Sequence, residues 1–475
     1  MVVRAVCRLA REGPAGAIGT LVCLCLATTA GAQDWTNAGG NAGRNGRTTE
    51  IGPDGPDVLW AGGRSSIIAW QPVTLGRRAF MVRQTGFPPE PNSDESPVVA
   101  MDLDTGAELW FVHVLARPSD WTTWVLGARD GRVYVSRSGN GSSVYAPIYA
   151  LDAADGSVEW VSDVETGAGA YDGVVFAPDG DLIVADFRKI YRISALDGST
   201  VWTADRLCSV SGNCGPCATA DAVYVADAAF GGHVIKRYDL ATGAFRYESP
   251  VMDGFTLQNT PMAAPDGTIY LSRTQNNAAV DDFYAIDDTG AAMSIRWSVP
   301  AGWTTVSEFA VGPDGSVYMA APGNRVRRLD AATGAPLAES EPLESLSAPR
   351  MATDAQGRLY LSNGAFAQGR FYSFDADLTP RWSVPVQNIN IGAPAIGADG
   401  TLIVCGVGTD VRAYRTERDD CPADFNGDTT VNTLDVIAFL NAYAAGDPAA
   451  DFNGDTTVNT LDVLAFLNAF VLGCP

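Results

Sequence analysis

The chain has 475 residues and a formal net charge of −23, from 32 basic and 55 acidic side chains. This excess of negative charge repels phosphate backbones and anionic membrane surfaces, so it argues against nucleic-acid binding. A chain of this length is too long to fold around a single simple hydrophobic core, unless a repeat architecture distributes the core along the sequence.

The N-terminus has the pattern of a secretory signal peptide. Arg4, Arg8 and Arg11 precede an apolar run over residues 15–28 and the small-residue site Ala30-Gly31-Ala32. We predict a signal peptide over residues 1–32 and a secreted protein, whether extracellular, cell-surface or periplasmic. The sequence after this segment contains no run of about 18 apolar residues of the kind that would predict a membrane span. Cleavage would leave six of the nine cysteines, an even number that favours disulfides in an exported chain.

One motif recurs along most of the chain. Residues 149–160 (YALDAADGSVEW) form a short apolar strand, an Asp-Gly turn and a second strand ending in tryptophan, which predicts a β-hairpin. A second hairpin with its own Asp-Gly turn precedes most copies, as at Asp130-Gly131 and Asp179-Gly180. Together the two hairpins make a four-stranded antiparallel unit.

The spacing of the closing aromatic residues predicts the architecture. The first six are Trp60, Trp110, Trp160, Trp202, Tyr247 and Trp297. A weak copy near Leu337 follows, and then Trp382. Four strands every 40 to 50 residues or so is the period of a β-propeller blade. The termini bring the count to eight blades, over residues 33–416. We expect each bulky aromatic to wedge between neighbouring blades.

The ring is predicted to close through its N-terminal strand. Val58-Leu-Trp60 has no strand before it, whereas the last unit, ending at Val411–Tyr414, has no closing tryptophan. Pairing these two strands completes the eighth blade and removes two exposed sheet edges.

The repeats resemble the PQQ-like, quinoprotein dehydrogenase-like β-propellers. The resemblance covers residues 34–416 and rests on the hairpin motif and on the opening Asp34-Trp-Thr-Asn-Ala-Gly-Gly-Asn41. Enzymes of this family hold the quinone with an adjacent Cys-Cys disulfide and a Ca²⁺ site, but this chain has no adjacent cysteine pair. The resemblance therefore implies a binding scaffold for a protein or carbohydrate ligand, without PQQ. A PQQ-dependent oxidoreductase is the alternative.

A cysteine-rich insertion precedes the predicted fourth blade. Cys208, Cys214 and Cys217 lie within ten residues, which favours a structural disulfide over redox or metal chemistry, because no second Cys-x-x-Cys and only two histidines exist. Cys405 lies in a strand pattern, either as a buried free thiol or as the partner of the odd loop cysteine.

The C-terminal module, residues 417–475, contains two nearly identical copies of a 20-residue unit offset by 27 residues. Oxygen-bearing residues occupy loop positions 1, 3, 5, 9 and 12, and position 7 offers a backbone carbonyl, as in an EF-hand-type calcium loop. Oxygen ligands without Cys or His favour calcium over transition metals. Two calcium ions are therefore predicted, against the alternative of Asn/Asp-rich turns without metal. The ligand residues are Asp424, Asn426, Asp428, Thr430, Asn432 and Asp435 in the first loop, and Asp451, Asn453, Asp455, Thr457, Asn459 and Asp462 in the second.

Each loop is followed by apolar residues at helical spacing, which in the first copy are Val436, Ile437, Phe439, Leu440 and Tyr443. We expect the two loop-helix units to pack together. This module resembles a dockerin domain, although position 6 is threonine (Thr429, Thr456) where the family pattern has glycine. The resemblance implies a disulfide between Cys421 and Cys474 that clasps the ends. It also implies partner contacts through Thr433, Leu434, Thr460 and Leu461 with a cohesin-like or cell-surface sorting protein.

The sequence as a whole predicts a mainly β protein, an eight-bladed propeller of four-stranded antiparallel blades with a small α-helical dockerin-like domain. The function it favours is an exported, non-enzymatic scaffold anchored to a surface or multiprotein complex through the calcium-dependent module. A polysaccharide-degrading component of a surface complex is a further alternative, and whether the protein is an enzyme stays open.

Overall fold

A computed structural model describes residues 33–62, 71–83, 97–114, 122–138, 145–168, 173–208, 215–253, 260–274, 280–302, 309–365, 369–386, 392–405, 411–416, 422–427, 431–455 and 457–472. The chain divides into two compact units, of which Ala32–Thr416 is the larger and the other contains Glu417–Pro475.

The larger unit is an eight-bladed β-propeller, as the repeat period predicts, because its described strands form eight antiparallel sheets, seven with four strands and one with five. The strands are β1 (Val58–Gly62); blade 1, β2 (Val73–Leu75), β3 (Arg78–Val82), β4 (Val98–Asp102) and β5 (Glu108–Val112); blade 2, β6 (Thr122–Arg129), β7 (Arg132–Ser138), β8 (Ala146–Asp152) and β9 (Val158–Thr166); blade 3, β10 (Val175–Phe176), β11 (Leu182–Ala185), β12 (Lys189–Ile193) and β13 (Thr200–Asp205); blade 4, β14 (Cys217–Ala218), β15 (Ala222–Ala229), β16 (Gly232–Asp239) and β17 (Phe245–Glu248), with β18 (Met252–Asp253) added beside β16; blade 5, β19 (Met262–Ala263), β20 (Ile269–Thr274), β21 (Val280–Asp288) and β22 (Met293–Gly302); blade 6, β23 (Ala310–Val311), β24 (Val317–Ala321), β25 (Arg325–Leu329) and β26 (Pro336–Glu339); blade 7, β27 (Arg350–Thr353), β28 (Leu359–Ser362), β29 (Arg370–Phe374) and β30 (Pro380–Pro385); and blade 8, β31 (Ala395–Ile396), β32 (Leu402–Val404) and β33 (Val411–Tyr414).

The N-terminal strand completes blade 8. Strand β1 pairs antiparallel with β33, and Val58 lies opposite Tyr414 while Gly62 lies opposite Val411. The predicted closure is confirmed, and it satisfies two sheet edges that an open ring would expose.

Tryptophans at the outer strands hold neighbouring blades together. Five indole rings pack on the turn glycine of the next blade, and the pairs are Trp60 with Gly106, Trp110 with Gly156, Trp160 with Gly198, Trp202 with Gly243 and Trp297 with Gly334. A Cβ at Gly243 would lie 2.5 Å from the Trp202 ring, and this residue has a φ of +71°. Both the close contact and the backbone conformation therefore require glycine here. The Trp202 Nε1 group also donates to the carbonyl of Leu240, 3.0 Å away in blade 4.

Blade 4 is joined to blade 5 differently. Its closing residue is Tyr247, whose hydroxyl donates to Asp288 over 2.6 Å, and Tyr224 donates to the same carboxylate over 2.7 Å. Gly290, the turn glycine at this junction, has no atom within 4 Å of its ideal Cβ position. A charged hydrogen-bond cluster thus replaces the indole-on-glycine contact here.

The smaller unit contains two helices, α1 (Thr433–Ala445) and α2 (Thr460–Leu472), and a 3₁₀ turn over Pro448–Ala450. The rings of Phe439 and Phe466 stack at its centre with centroids 4.3 Å apart. Phe425 and Phe452, which precede the two helices, meet this stack edge-on. The two sequence copies therefore pack as equivalent halves around one aromatic core.

No helix within the described ranges combines the length and the apolar composition needed to cross a bilayer.

Candidate functional site

The inner rim of the propeller is occupied by the chain's own N-terminal stretch. Residues 34–50, here called the axial segment, accept backbone hydrogen bonds from the innermost strands of six blades, namely blades 1, 2, 4, 5, 6 and 7. The donors and acceptors are Thr74 to Trp35, Ala128 to Thr36, Ala218 to Ala42, Ala263 to Gly43, Val311 to Asn45 and Thr353 to Gly46, at 2.7 to 2.9 Å. These inner-edge N–H groups are therefore satisfied and do not serve a ligand.

Small and polar residues let the axial segment lie this close to the strands. A Cβ at Gly43 would approach the Ala263 carbonyl oxygen to 2.3 Å. Arg44 donates from Nε to the carbonyl of Pro216 over 2.7 Å, and Asn45 donates to the carbonyl of Ala263 over 3.0 Å. Trp35 anchors the start of the segment and is 1% exposed. In the sequence, the Gly/Asn-rich composition of this stretch is the one signal of its role.

The second C-terminal loop is closed by Asp462. Its buried carboxylate accepts the backbone N–H of Asn453 over 3.1 Å and that of Asn459 over 2.8 Å. These N–H donors lower the pKa of Asp462, which keeps the group ionised. Asp455 in turn donates its backbone N–H to the side-chain oxygens of Asp451 and Asn453, over 3.0 and 2.9 Å. Positions 1, 3, 5, 9 and 12 are therefore joined in one hydrogen-bonded loop.

The first loop repeats this closure. Asp435 accepts the backbone N–H groups of Asn426 and Asn432, over 3.1 and 2.8 Å. An ionised carboxylate oxygen that accepts one N–H retains a lone pair, so Asp435 and Asp462 can still ligate a cation. The donor set, all carboxylate, amide and carbonyl oxygen, fits calcium. Among the described residues, however, no group of three or more His, Cys, Asp or Glu is arranged to hold a metal ion.

The structure gives the predicted ligands at position 9 a second role. Asn432 is the N-cap of α1, and its side chain accepts the backbone N–H of Leu434 over 2.8 Å. Asn459 accepts from Leu461 in the same way over 2.8 Å. An asparagine before a helix is a common cap because its oxygen satisfies a terminal N–H, a role that the ligand spacing in the sequence does not reveal.

Both helices leave an apolar face exposed. The predicted contact residues Thr433 and Thr460 are exposed at the helix starts, and Leu434 and Leu461 are 56% and 57% exposed. The same faces continue through Ile437, Leu440, Leu464, Leu467 and Val471. The two loop-helix units do pack together as expected, but they do so through Phe439 and Phe466, while Ile437 and Leu440 face solvent. Their helical spacing is compatible with either face, and the aromatic residues occupy the inner one.

The thiols of Cys217 and Cys405 are free and buried. Cys405 lies 3.7 Å from the Met81 sulfur, so of its two predicted roles the buried free thiol is the one observed. A disulfide through Cys217 is not formed, because this residue opens the inner strand of blade 4 and its side chain belongs to the apolar core.

Several predicted features lie outside the described residues. They are the signal peptide over residues 1–32, the ligands Asp428 and Thr430, the loop cysteine Cys214, and the Cys421 and Cys474 pair.

Residues 94–323, from blade 1 to blade 6, match the PQQ_2 family model, described as outer membrane protein assembly factor BamB. The repeats within residues 94–323 are therefore similar to those of this PQQ-like family. No curated protein matches the chain.

Solved structures resemble the fold at low sequence identity. Quinohemoprotein alcohol dehydrogenase from Comamonas testosteroni has a TM-score of 0.53 and 13% identity, covering 94% of this chain and 97% of that one. The C-terminal WD40 domain of Sif2 has a TM-score of 0.52 and 9% identity, covering 78% and 100%. BamB from Moraxella catarrhalis has a TM-score of 0.49 and 14% identity, covering 76% and 98%. At these identities the structural likeness shows the fold alone.

Proposed function

We propose that this protein is an exported, non-enzymatic propeller scaffold that a calcium-dependent, dockerin-like C-terminal module anchors to a surface or to a multiprotein complex. The observation that carries the proposal is the pairing of two equivalent loop-helix units with two equivalent exposed leucine faces. Among its described residues the small unit has a fully buried apolar cluster of just Phe439, Ala450 and Phe466, yet it exposes seven large aliphatic side chains, which is the composition of a docking module.

Calcium would be held by the oxygens of the two loops. Asp424, Asp428 and Asp435 would supply negative charge to one ion, and Asp451, Asp455 and Asp462 to the other. Residues 421–475 contain seven acidic residues and no Lys or Arg, so bound cations would relieve the self-repulsion of the module. Ordering of the loops would fix the starts of both helices, and with them Thr433, Leu434, Thr460 and Leu461.

The match to the BamB model supports a role at the cell envelope. That protein is described as an outer-membrane assembly factor, and a periplasmic or surface location agrees with the proposed signal peptide. The partner would be a cohesin-like or cell-surface sorting protein, and the disulfide between Cys421 and Cys474 would clasp the ends of the module.

Calcium titration of the full secreted chain tests the cation sites. Isothermal titration with CaCl₂ is expected to show two ions per chain. Asp424→Ala is expected to leave one, as is Asp451→Ala. A wild-type chain that takes up no calcium contradicts the proposal.

Surface attachment tests the anchor. In the presence of calcium, the full chain is expected to bind to the cells that produce it, and chelator is expected to release it. Leu434→Asp combined with Leu461→Asp is expected to abolish binding, whereas Leu337→Asp, at an exposed propeller residue, leaves it intact. Binding that ignores both chelator and the helix variants contradicts the anchor.

A PQQ-dependent oxidoreductase remains the alternative because one structural relative is a quinohemoprotein alcohol dehydrogenase. Incubation with PQQ and Ca²⁺, followed by dye-linked dehydrogenase assay, distinguishes the two functions. Stoichiometric PQQ binding with turnover would favour the enzyme over the scaffold.

A further inference from the structure

A groove of about 380 Å³ lies between the outer strands of blades 3 and 4. Ala204 and Asp205 of β13 line one side, and Lys236, Tyr238, Phe245 and Glu248 of β16 and β17 line the other. Its volume is within the range of about 300 to 1,000 Å³ of small-molecule sites.

The small side chain of Ala204 leaves room for this groove. Ala204 follows the closing Trp202 by two residues, and three other outer strands have valine at that position, namely Val112, Val299 and Val384. Tyr238 forms the groove's buried wall, and its hydroxyl donates to the Asp205 carbonyl over 3.3 Å. The shape of the groove thus depends on Ala204, at a position where other blades have the larger valine.

The charges around the groove balance. Lys189 and Lys236 are the only lysines of the chain, and both lie at this junction. Lys189 pairs with Asp205 over 3.3 Å, while Lys236 lies 3.4 Å from Asp227, which also holds the buried Arg206 over 2.7 Å. With Glu248, the six groups are three cations and three anions. An ionic ligand would have to compete with these pairs, whereas an uncharged one would not.

Aromatic surface completes the groove. Phe245 is 52% exposed and meets Tyr238 edge-on, with ring centroids 5.8 Å apart. The ammonium of Lys236 donates hydrogen bonds, and the carboxylates of Asp205 and Glu248 accept them. A sugar ring matches this combination, because its C–H faces pack on aromatic surface while each hydroxyl both donates and accepts.

We propose that the groove between blades 3 and 4 binds an uncharged saccharide. The proposal specifies a ligand class for the scaffold function and is independent of the C-terminal anchor. Association is then expected to change little between low and high salt, because no net charge is neutralised.

The test is calorimetric titration of the full chain in calcium with cellotetraose, xylotetraose and maltotetraose. At least one is expected to bind saturably at one site. Ala204→Val, which introduces the valine of three other blades, and Phe245→Ala are each expected to weaken binding about tenfold or more, equivalent to about 1.4 kcal/mol. The matched control Leu337→Ala removes a comparably exposed apolar side chain from blade 6 and is expected to bind like wild type.

Three results would overturn the proposal. They are a lack of binding to all three oligosaccharides, wild-type affinity in Ala204→Val with an unchanged melting temperature, and preferential binding of sulfate or tetralysine that weakens with salt. Calcium uptake by the C-terminal module is measured in the same samples. A failed sugar titration with normal calcium uptake counts against the groove alone.

Discussion

The two units of this protein differ in the size and composition of their hydrophobic cores. The propeller buries aromatic and aliphatic side chains at every blade junction and satisfies its inner edges with the axial segment. The fully buried apolar cluster described in the C-terminal unit consists of two phenylalanines and one alanine, and carboxylates are concentrated in its two loops. The first unit is stabilised by packing, whereas we expect the second to depend on cations bound in its loops.

Removal of calcium is expected to have the largest effect and to separate the two units. In chelator, amides of residues 431–472 are expected to lose hydrogen-exchange protection, while those of the propeller strands keep it. Mass spectrometry of the full chain with and without CaCl₂ measures both in one sample. Equal protection of the C-terminal unit in both conditions would break the comparison.

Loss of Trp35 is expected to have the largest effect on the propeller. Trp35→Ala empties a nearly fully buried site at the start of the axial segment, which costs about 3 to 5 kcal/mol of unfolding free energy. Urea denaturation measures this change. The exposed Leu196→Ala serves as control and is expected to shift stability by less than about 0.5 kcal/mol. Similar values for both variants would show that the axial segment is dispensable.

Two turn glycines offer a smaller, matched test of the blade junctions. Gly243 and Gly290 both have positive φ, so an alanine at either position costs about 1 to 2 kcal/mol from the backbone. Only Gly243→Ala also displaces a tryptophan ring, which adds about 1 to 3 kcal/mol. Thermal melting compares the two variants. A Gly290→Ala variant as damaging as Gly243→Ala would contradict the indole-on-glycine contact.

The smallest effect concerns acid stability of a single propeller turn. Hydrogen bonds from Arg246 and Thr242 lower the pKa of Asp239 to about 2. A folded-state pKa below the unfolded value of about 3.9 stabilises the protein above that value, and the contribution is lost as the pH falls towards 2. Asp239→Asn is therefore expected to be less stable than wild type at neutral pH and equal to it near pH 2. Urea midpoints across this pH range test the sign.

Some features of the two units could be predicted from the sequence, and others could not. The blade count and the closure by Val58–Gly62 follow from a repeat whose tryptophans mark each junction. The exposed positions of Ile437 and Leu440 could not be predicted, because helical spacing places apolar residues on both faces and only the Phe439 and Phe466 stack selects the inner one. The capping roles of Asn432 and Asn459 were missed because an oxygen at a loop-helix boundary suits a cap and a cation equally well.

The sequence by itself determined the local chemistry: the hairpin period, the turn glycines, the aromatic residue that closes nearly every blade, and the oxygen-rich loops. These are recurrent, short-range patterns, and backbone geometry constrains them strongly. Tertiary structure alone decided where the axial segment lies, which leucines face solvent, and that both lysines meet at one junction beside Ala204. Each of these features depends on side chains that are distant in sequence and meet only in the folded chain: the axial segment in the closed ring, the leucines around the stack of Phe439 and Phe466, and the lysines at the junction of blades 3 and 4.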